Sequence, residues 1–270
     1  MRIPFWKMQG AGNDFILVDD RAVTFPAGDR AWLARVNARR LGVGAEGTIL
    51  IQPSGKAHVR MRFFNPDGGE VEMCGNGARC VARLAHDIGA APAAMTIETI
   101  AGVLQAEVSG EQVRLAMTPP RDWRMDQTIP VCGRPLVCHF VNTGVPHVVV
   151  PVEHLDECDV RGLGRAIRCH EAFAPGGTNA NFIQATGAQT MRVRTYERGV
   201  EDETLACGTG ITAGALVAAR LGRVRPPVRV TAAGGDVLTV EFSLTASGAE
   251  NVTLTGGAAH VFQGTLDYPS

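Results

Sequence analysis

Two cysteines each open the same short phrase, Cys-Gly-Asn-Gly at 74–77 and Cys-Gly-Thr-Gly at 207–210. Each phrase runs into an Ala-rich stretch, which predicts a helix that starts at the thiol. The partial positive charge of a helix N-terminus favours thiolate over thiol. A thiolate on one face of a carbon and a thiol on the other would form a base and an acid for exchanging a single proton. Amino-acid α-carbons need such help, because the carbanion left by proton removal is unstable. Enzymes often spread that charge into pyridoxal phosphate on a lysine. The lysines here are Lys7 and Lys56, and neither lies in a phosphate-binding context. The alternative is to neutralise the substrate carboxylate with backbone N–H groups of Gly75, Asn76, Gly208 and Thr209 at the two helix starts. A helix start is worth about 0.3–1 kcal/mol when exposed and up to ~2 when partly buried. Exclusion of water and polar neighbours must therefore supply the rest. No cofactor and no metal are expected.

The elements that carry the thiols are repeated. Cys74 and Cys207 are 133 positions apart (207 − 74), as are Gly89 and Gly222, where the helices should stop, and Gly44 and Gly177. Gly12 and Gly144 differ by 132 (144 − 12), and Ala-Gly-Val-Leu-Gln-Ala-Glu-Val at 101–108 is echoed at 233–241. Such an offset predicts two similar halves facing each other. Strands are expected at 15–19, 47–52, 59–64, 95–99 and 104–108 in the first half. In the second they are expected at 137–141, 148–152, 181–185, 191–196, 228–231, 237–242 and 252–255. Helices are expected near 29–39, 75–88, 160–168 and 208–221. The last is apolar nearly all round and should be buried within sheet. The division proposed is 1–118 and 119–258, with about 259–270 returning to the first half and Pro119-Pro120 as a hinge.

Bulk properties narrow the class. A chain of 270 residues can bury a large core, and a net charge of −1 gives no footprint for nucleic acid or an anionic membrane. No run is long enough to span a bilayer, and Met1–Lys7 lacks an apolar signal region. Seven cysteines without CxxC spacing argue against a disulfide framework or a zinc ribbon. The expected compartment is the cytoplasm, and the expected partner is a small molecule. Cys80, Cys132, Cys138, Cys158 and Cys169 are read as small core residues.

Several segments in order resemble the diaminopimelate epimerase family. They are Lys-Met-Gln-Gly-Ala-Gly-Asn-Asp-Phe at 7–15, Phe-Asn-Pro-Asp-Gly at 64–68, Met-Cys-Gly-Asn-Gly-Ala-Arg-Cys at 73–80 and Gly-Val-Pro-His at 144–147. Gly-Thr-Asn-Ala-Asn-Phe at 177–182, Tyr-Glu-Arg-Gly at 196–199 and Leu-Ala-Cys-Gly-Thr-Gly at 205–210 complete the set. The resemblance implies a pyridoxal-independent two-base epimerase acting on LL- and meso-diaminopimelate, for lysine and peptidoglycan synthesis. It also implies an α/β (α+β) chain of two similar halves, each a curled, mostly antiparallel sheet around a central helix. The halves would be related by a pseudo-two-fold with the active site between them, and the protein would be a homodimer.

By the same resemblance Cys74 and Cys207 form the acid–base pair, with His147 and Glu197 as polar neighbours tuning the thiols. Asn13, Asn65, Asn179, Glu197 and Arg198 would bind the amino and carboxylate groups of the substrate. Gly75, Asn76, Gly208 and Thr209 would cradle the reacting carboxylate. On residue type alone, the three asparagines also fit turn caps, Glu197-Arg198 a surface pair and His147 a core histidine. Two positions depart from the commoner family pattern. Val145 stands where many members have Asn, and Gly47 where some have Gln. The scaffold also supports other cofactor-independent racemases, such as histidine and proline racemases. A thiol redox sensor is the reading from another class.

Overall fold

The computed structural model describes residues 1–269. In chain order the first elements are strands β1 (Arg2–Gly10) and β2 (Asn13–Asp19), helix α1 (Arg30–Asn37), and strands β3 (Thr48–Gln52), β4 (Val59–Phe64) and β5 (Glu70–Val71). Helix α2 (Gly75–Asp87) and strands β6 (Ala94–Thr99), β7 (Gly102–Ser109), β8 (Gln112–Ala116), β9 (Arg121–Val131), β10 (Arg134–Asn142) and β11 (Pro146–Pro151) follow. Helix α3 (Val160–Arg168) precedes β12 (Asn179–Gly187), β13 (Thr190–Glu197) and β14 (Asp202–Thr204). The chain closes with helix α4 (Gly208–Arg220), β15 (Val228–Thr231), β16 (Val237–Leu244), β17 (Ala249–Gly257) and β18 (Ala259–Asp267).

Two compact units result, one of Met1–Leu115 with the segment beginning at Gly256, the other of Ala116–Thr255. In the first unit the strand order is β18-β1-β2-β3-β4-β6-β7-β8, with β5 on the end of β4. In the second it is β9-β10-β11-β12-β13-β15-β16-β17, with β14 on β13. The two orders match pair for pair. Each has two parallel joints among antiparallel ones, β2–β3 and β4–β6 in the first unit, β11–β12 and β13–β15 in the second. A parallel joint needs a crossover, and the four helices supply those crossovers.

The helices fall into two kinds. Helices α1 and α3 are capped by Asp29 and Asp159, whose carboxylates accept the N–H of Trp32 and Gly162. They cover the outer faces, over cores that include Phe25, Leu33 and Leu50 in one unit and Leu155, Ile167 and Phe182 in the other. Helices α2 and α4 are wrapped instead. Helix α2 touches β1, β2, β3, β4, β6 and β7, while α4 touches their counterparts β10, β11, β12, β13, β15 and β16. Every residue of α4 from Gly210 to Ala219 is buried, as its all-round apolar sequence requires. Gly89 and Gly222 follow these helices with φ of +67° and +69°, a backbone that glycine adopts without steric penalty.

Strands β1, β8, β9 and β18, and the short β5 and β14, were not expected from the sequence. Pro4 interrupts the β1 pattern, and β18 is exposed along most of its length without a buried–exposed alternation, whereas β9 does alternate, with Trp123, Met125, Ile129 and Val131 on its less exposed face. Two cysteines read as core also differ. Cys132 is exposed at the tip of the β9–β10 hairpin, and Cys169 is exposed at the end of α3, whereas Cys80 and Cys138 are buried.

Candidate active site

In the first unit, Cys74 occupies the N-cap of α2 in extended backbone (φ −134°, ψ 123°), and its carbonyl accepts the Ala78 N–H at 2.8 Å. Helix geometry then directs the amides of Gly75 and Asn76 out of the N-terminus. Asn76 is buried, and its side-chain NH2 donates to Asn13 Oδ1. Asn13 in turn donates through Nδ2 to Glu46. A carboxylate only accepts, so Glu46 fixes which way both carboxamides face. Asn65 follows β4 in a turn closed by its own backbone, its N–H to Gly69 O and its carbonyl to the Gly68 N–H, both at 2.9 Å.

A buried ion pair holds this half together. Lys7 lies 2.7 Å from Asp14 Oδ2 with its side chain 6% exposed, and also donates to Gly44 O. Arg39 reaches the other oxygen of Asp14 at 2.8 Å. Burial pushes the Asp14 carboxyl upward, but bonds to Lys7 and Arg39 more than reverse this and hold its pKa below the usual value. The Asp14 backbone carbonyl accepts the Glu46 N–H at 2.8 Å, so the pair also anchors the Asn13–Glu46 contact.

The second unit repeats the plan with different side chains. Cys207 is the N-cap of α4 (φ −112°, ψ 108°), its carbonyl accepting the Ile211 N–H at 2.8 Å, and its Sγ is 3.5 Å from Thr209 Oγ1. Thr143, in the β10–β11 turn, donates its hydroxyl to Thr209 O at 2.9 Å. Thr212 donates to Gly208 O at 2.9 Å. Asn179 donates to Pro146 O at 3.1 Å and accepts the Arg198 N–H at 2.8 Å, tying β11 and β12 to the end of β13. The Arg198 guanidinium reaches Gly176 O at 3.1 Å, and Glu197 accepts from Thr204 Oγ1 at 2.8 Å. His147 is wholly buried. Its Nδ1 is 3.1 Å from Asn181 Nδ2, and burial first, then the charge of Arg198, pushes its pKa down to about 3.

Asn13, Gly75 and Asn76 thus lie by Cys74 at the start of α2, while His147, Asn179 and Glu197 stand on β11, β12 and β13, three strands that pack on α4, Arg198 follows β13, and Asn65 lies in its own turn after β4. Cys80, two turns into α2, is a different kind of thiol, its pKa pushed up to about 12 by burial. Residue type alone gave no role to Glu46, Thr143, Asn181 or Thr195. One signal was present in the sequence, since Asn179 and Asn181 alternate with Ala180 and so share a strand face.

A family model for diaminopimelate epimerase matches residues 5–123 and 139–261. The chain belongs to the diaminopimelate epimerase family. It is 45% identical to the diaminopimelate epimerase of Aquifex aeolicus, with 97% of each chain covered. It is 43% identical to that of Chlorobaculum tepidum, covering 96% of this chain and 99% of the relative. Among solved structures, a PhzF-family phenazine biosynthesis protein from Bacillus anthracis superposes with a TM-score of 0.74 at 18% identity, covering 99% of this chain and 100% of that one. A probable proline racemase from Agrobacterium radiobacter gives 0.72 at 16% identity, covering 99% and 93%. These two share the fold.

Gly47, one of the family departures, has a packing reason. Its φ is +154°, and a Cβ there would overlap the Phe63 ring and the Phe64 carbonyl oxygen. The Gln of some family members cannot enter this backbone without moving β4. Gly47→Gln should therefore destabilise the protein by about 2–4 kcal/mol through overpacking and backbone strain. A denaturation midpoint within ~0.5 kcal/mol of the parent would remove this explanation.

Proposed function

We propose that the chain interconverts LL- and meso-diaminopimelate, with the substrate α-carbon held between the Cys74 and Cys207 sulfurs. One thiolate takes the α-proton, so the C–H bond breaks and an S–H bond forms. The electron pair passes into the α-carboxylate, which gains enolate character. The other thiol then delivers its proton to the opposite face and is left as thiolate. The reverse direction exchanges the two roles. The observation that supports this reading best is the repeated construction of the helix starts. Cysteine stands at both N-caps, where the outer helices carry aspartate. A sequence that breaks the ordinary capping rule twice, at matching places, does so where chemistry is needed.

Gly75, Asn76, Gly208 and Thr209 cradle the reacting carboxylate in this reading. Asn13, Asn65, Asn179, Glu197 and Arg198 hold the amino groups and the distal carboxylate. Arg198 suits that carboxylate because its planar fork makes paired charge-assisted hydrogen bonds. His147 and Glu197 set the polarity around the thiols. The working protein is a cytoplasmic homodimer that needs no cofactor or metal.

The test is incubation with LL-diaminopimelate in deuterated water. Two bases should place deuterium in the inverted product before it enters the remaining substrate. Equal early labelling of both pools would point to one base. Faster inversion of histidine or another monoamino acid would keep the chemistry and overturn the substrate.

A further inference from the structure

We infer that Asn181 is a positioning residue that fixes His147 as a neutral ring with its proton on Nε2, a hydrogen-bond donor and not a base. Asn181 is wholly buried on β12, beside His147 on β11. Its Nδ2 lies 2.9 Å from Val148 O, an atom that only accepts, and its Oδ1 receives the Thr195 hydroxyl at 3.0 Å. These two contacts settle which end of the carboxamide is which, since the flipped form would set two carbonyl oxygens against each other. Nδ2 must then donate to His147 Nδ1 as well, at 3.1 Å. A nitrogen that accepts carries no proton, so the ring proton of neutral His147 sits on Nε2.

Nε2 is buried and makes no hydrogen bond to any described residue. A donor buried without an acceptor is costly, and such atoms concentrate where a ligand or reacting group completes the pairing. The surroundings tie this arrangement to the start of α4. A Cβ on Gly210, three residues after Cys207, would overlap Asn181 Oδ1 and lie 3.3 Å from Thr195 Oγ1. Glycine there lets the first turn of the Cys207 helix rest directly on the pair that orients the histidine. In the proposed reaction, on which the functional half of this inference rests, the acceptor for Nε2–H arrives with a thiolate or with the substrate. His147 then stabilises negative charge and takes up no proton.

The experiment is long-range proton–nitrogen correlation on intact protein labelled with 15N-histidine, with the His147 signal assigned by its absence from His147→Gln. The native ring should show an unprotonated Nδ1 and a protonated Nε2 from about pH 5 to 9. Asn181→Asp turns the donor facing Nδ1 into an acceptor. It should move a proton onto Nδ1 and lower kcat at least about tenfold, with a much smaller change in KM. Thr195→Val removes only the hydroxyl that holds Asn181 Oδ1; it should shift both readouts the same way to a smaller extent, and it serves if Asn181→Asp does not fold. A native His147 that is doubly protonated or carries its proton on Nδ1 would overturn the inference. So would an Asn181→Asp protein whose nitrogen shifts stay native, or whose kcat stays native after the proton has moved. Native protein inactive on diaminopimelate would defeat the functional reading alone, since the nitrogen shifts would still decide the tautomer.

Discussion

Replacing either Cys74 or Cys207 by alanine should lower kcat by roughly 10²–10⁴-fold, the usual worth of a positioned proton-transfer group. Both variants should fold, because neither side chain makes a capping hydrogen bond and the stability of each helix comes from burial along its length. The double variant should lose little beyond either single one, since an acid and a base that act on one carbon fail as a unit. Cys80→Ala is the control. Its buried thiol has a pKa raised to about 12, and its removal should alter stability and leave turnover nearly unchanged. Either single catalytic variant with near-native turnover would end the two-base assignment.

Lys7→Met should destabilise the first unit by about 3 kcal/mol or more, the penalty of leaving one member of a buried ion pair without the other. Arg39 retains its hold on Asp14 and offsets part of the loss, but only part, because that guanidinium is largely exposed and screened. Asn13 and Glu46 should loosen with the pair, so substrate affinity should fall as well. Acid should produce the same loss in the unaltered protein. The folded-state pKa of Asp14 is depressed, so its stabilisation is complete above the ordinary value of 3.8 and disappears as pH falls through the lower folded value. Urea titrations of parent and variant at neutral pH would measure the difference. A change below ~1 kcal/mol would make the pair equivalent to a surface bridge.

The sequence carried more of this molecule than single-residue signals usually do, because the fold is present twice. The glycine offsets exposed the repeat, and the paired glycines Gly44 and Gly177 share left-handed backbone, with φ of +76° and +66°. Helices α2 and α4 were legible from Ala-rich runs behind Cys-Gly. Strand β18 was not, since its mostly exposed residues carry no period, and β9, whose alternation of Trp123, Met125, Ile129 and Val131 was readable, was passed over behind Pro119-Pro120. The partners that orient the site were equally hidden. Nothing in the spelling of Asn181 or Glu46 shows that one faces a histidine nitrogen and the other an amide; strand register and a crossover loop bring them there.

Strand β18 gives the two units different loop-closure demands. Every strand of the second unit lies between positions 121 and 257, so that unit closes using only residues inside that span. Strand β1 needs residues 259–267, on the far side of the whole second unit, before its outer edge is covered. Until that closure the chain exposes an open edge next to Phe5 and Trp6, a template for mispairing with other chains. The unit entered first along the chain is therefore the one completed last, and in refolding from urea the amides of β12 should gain exchange protection before those of β1.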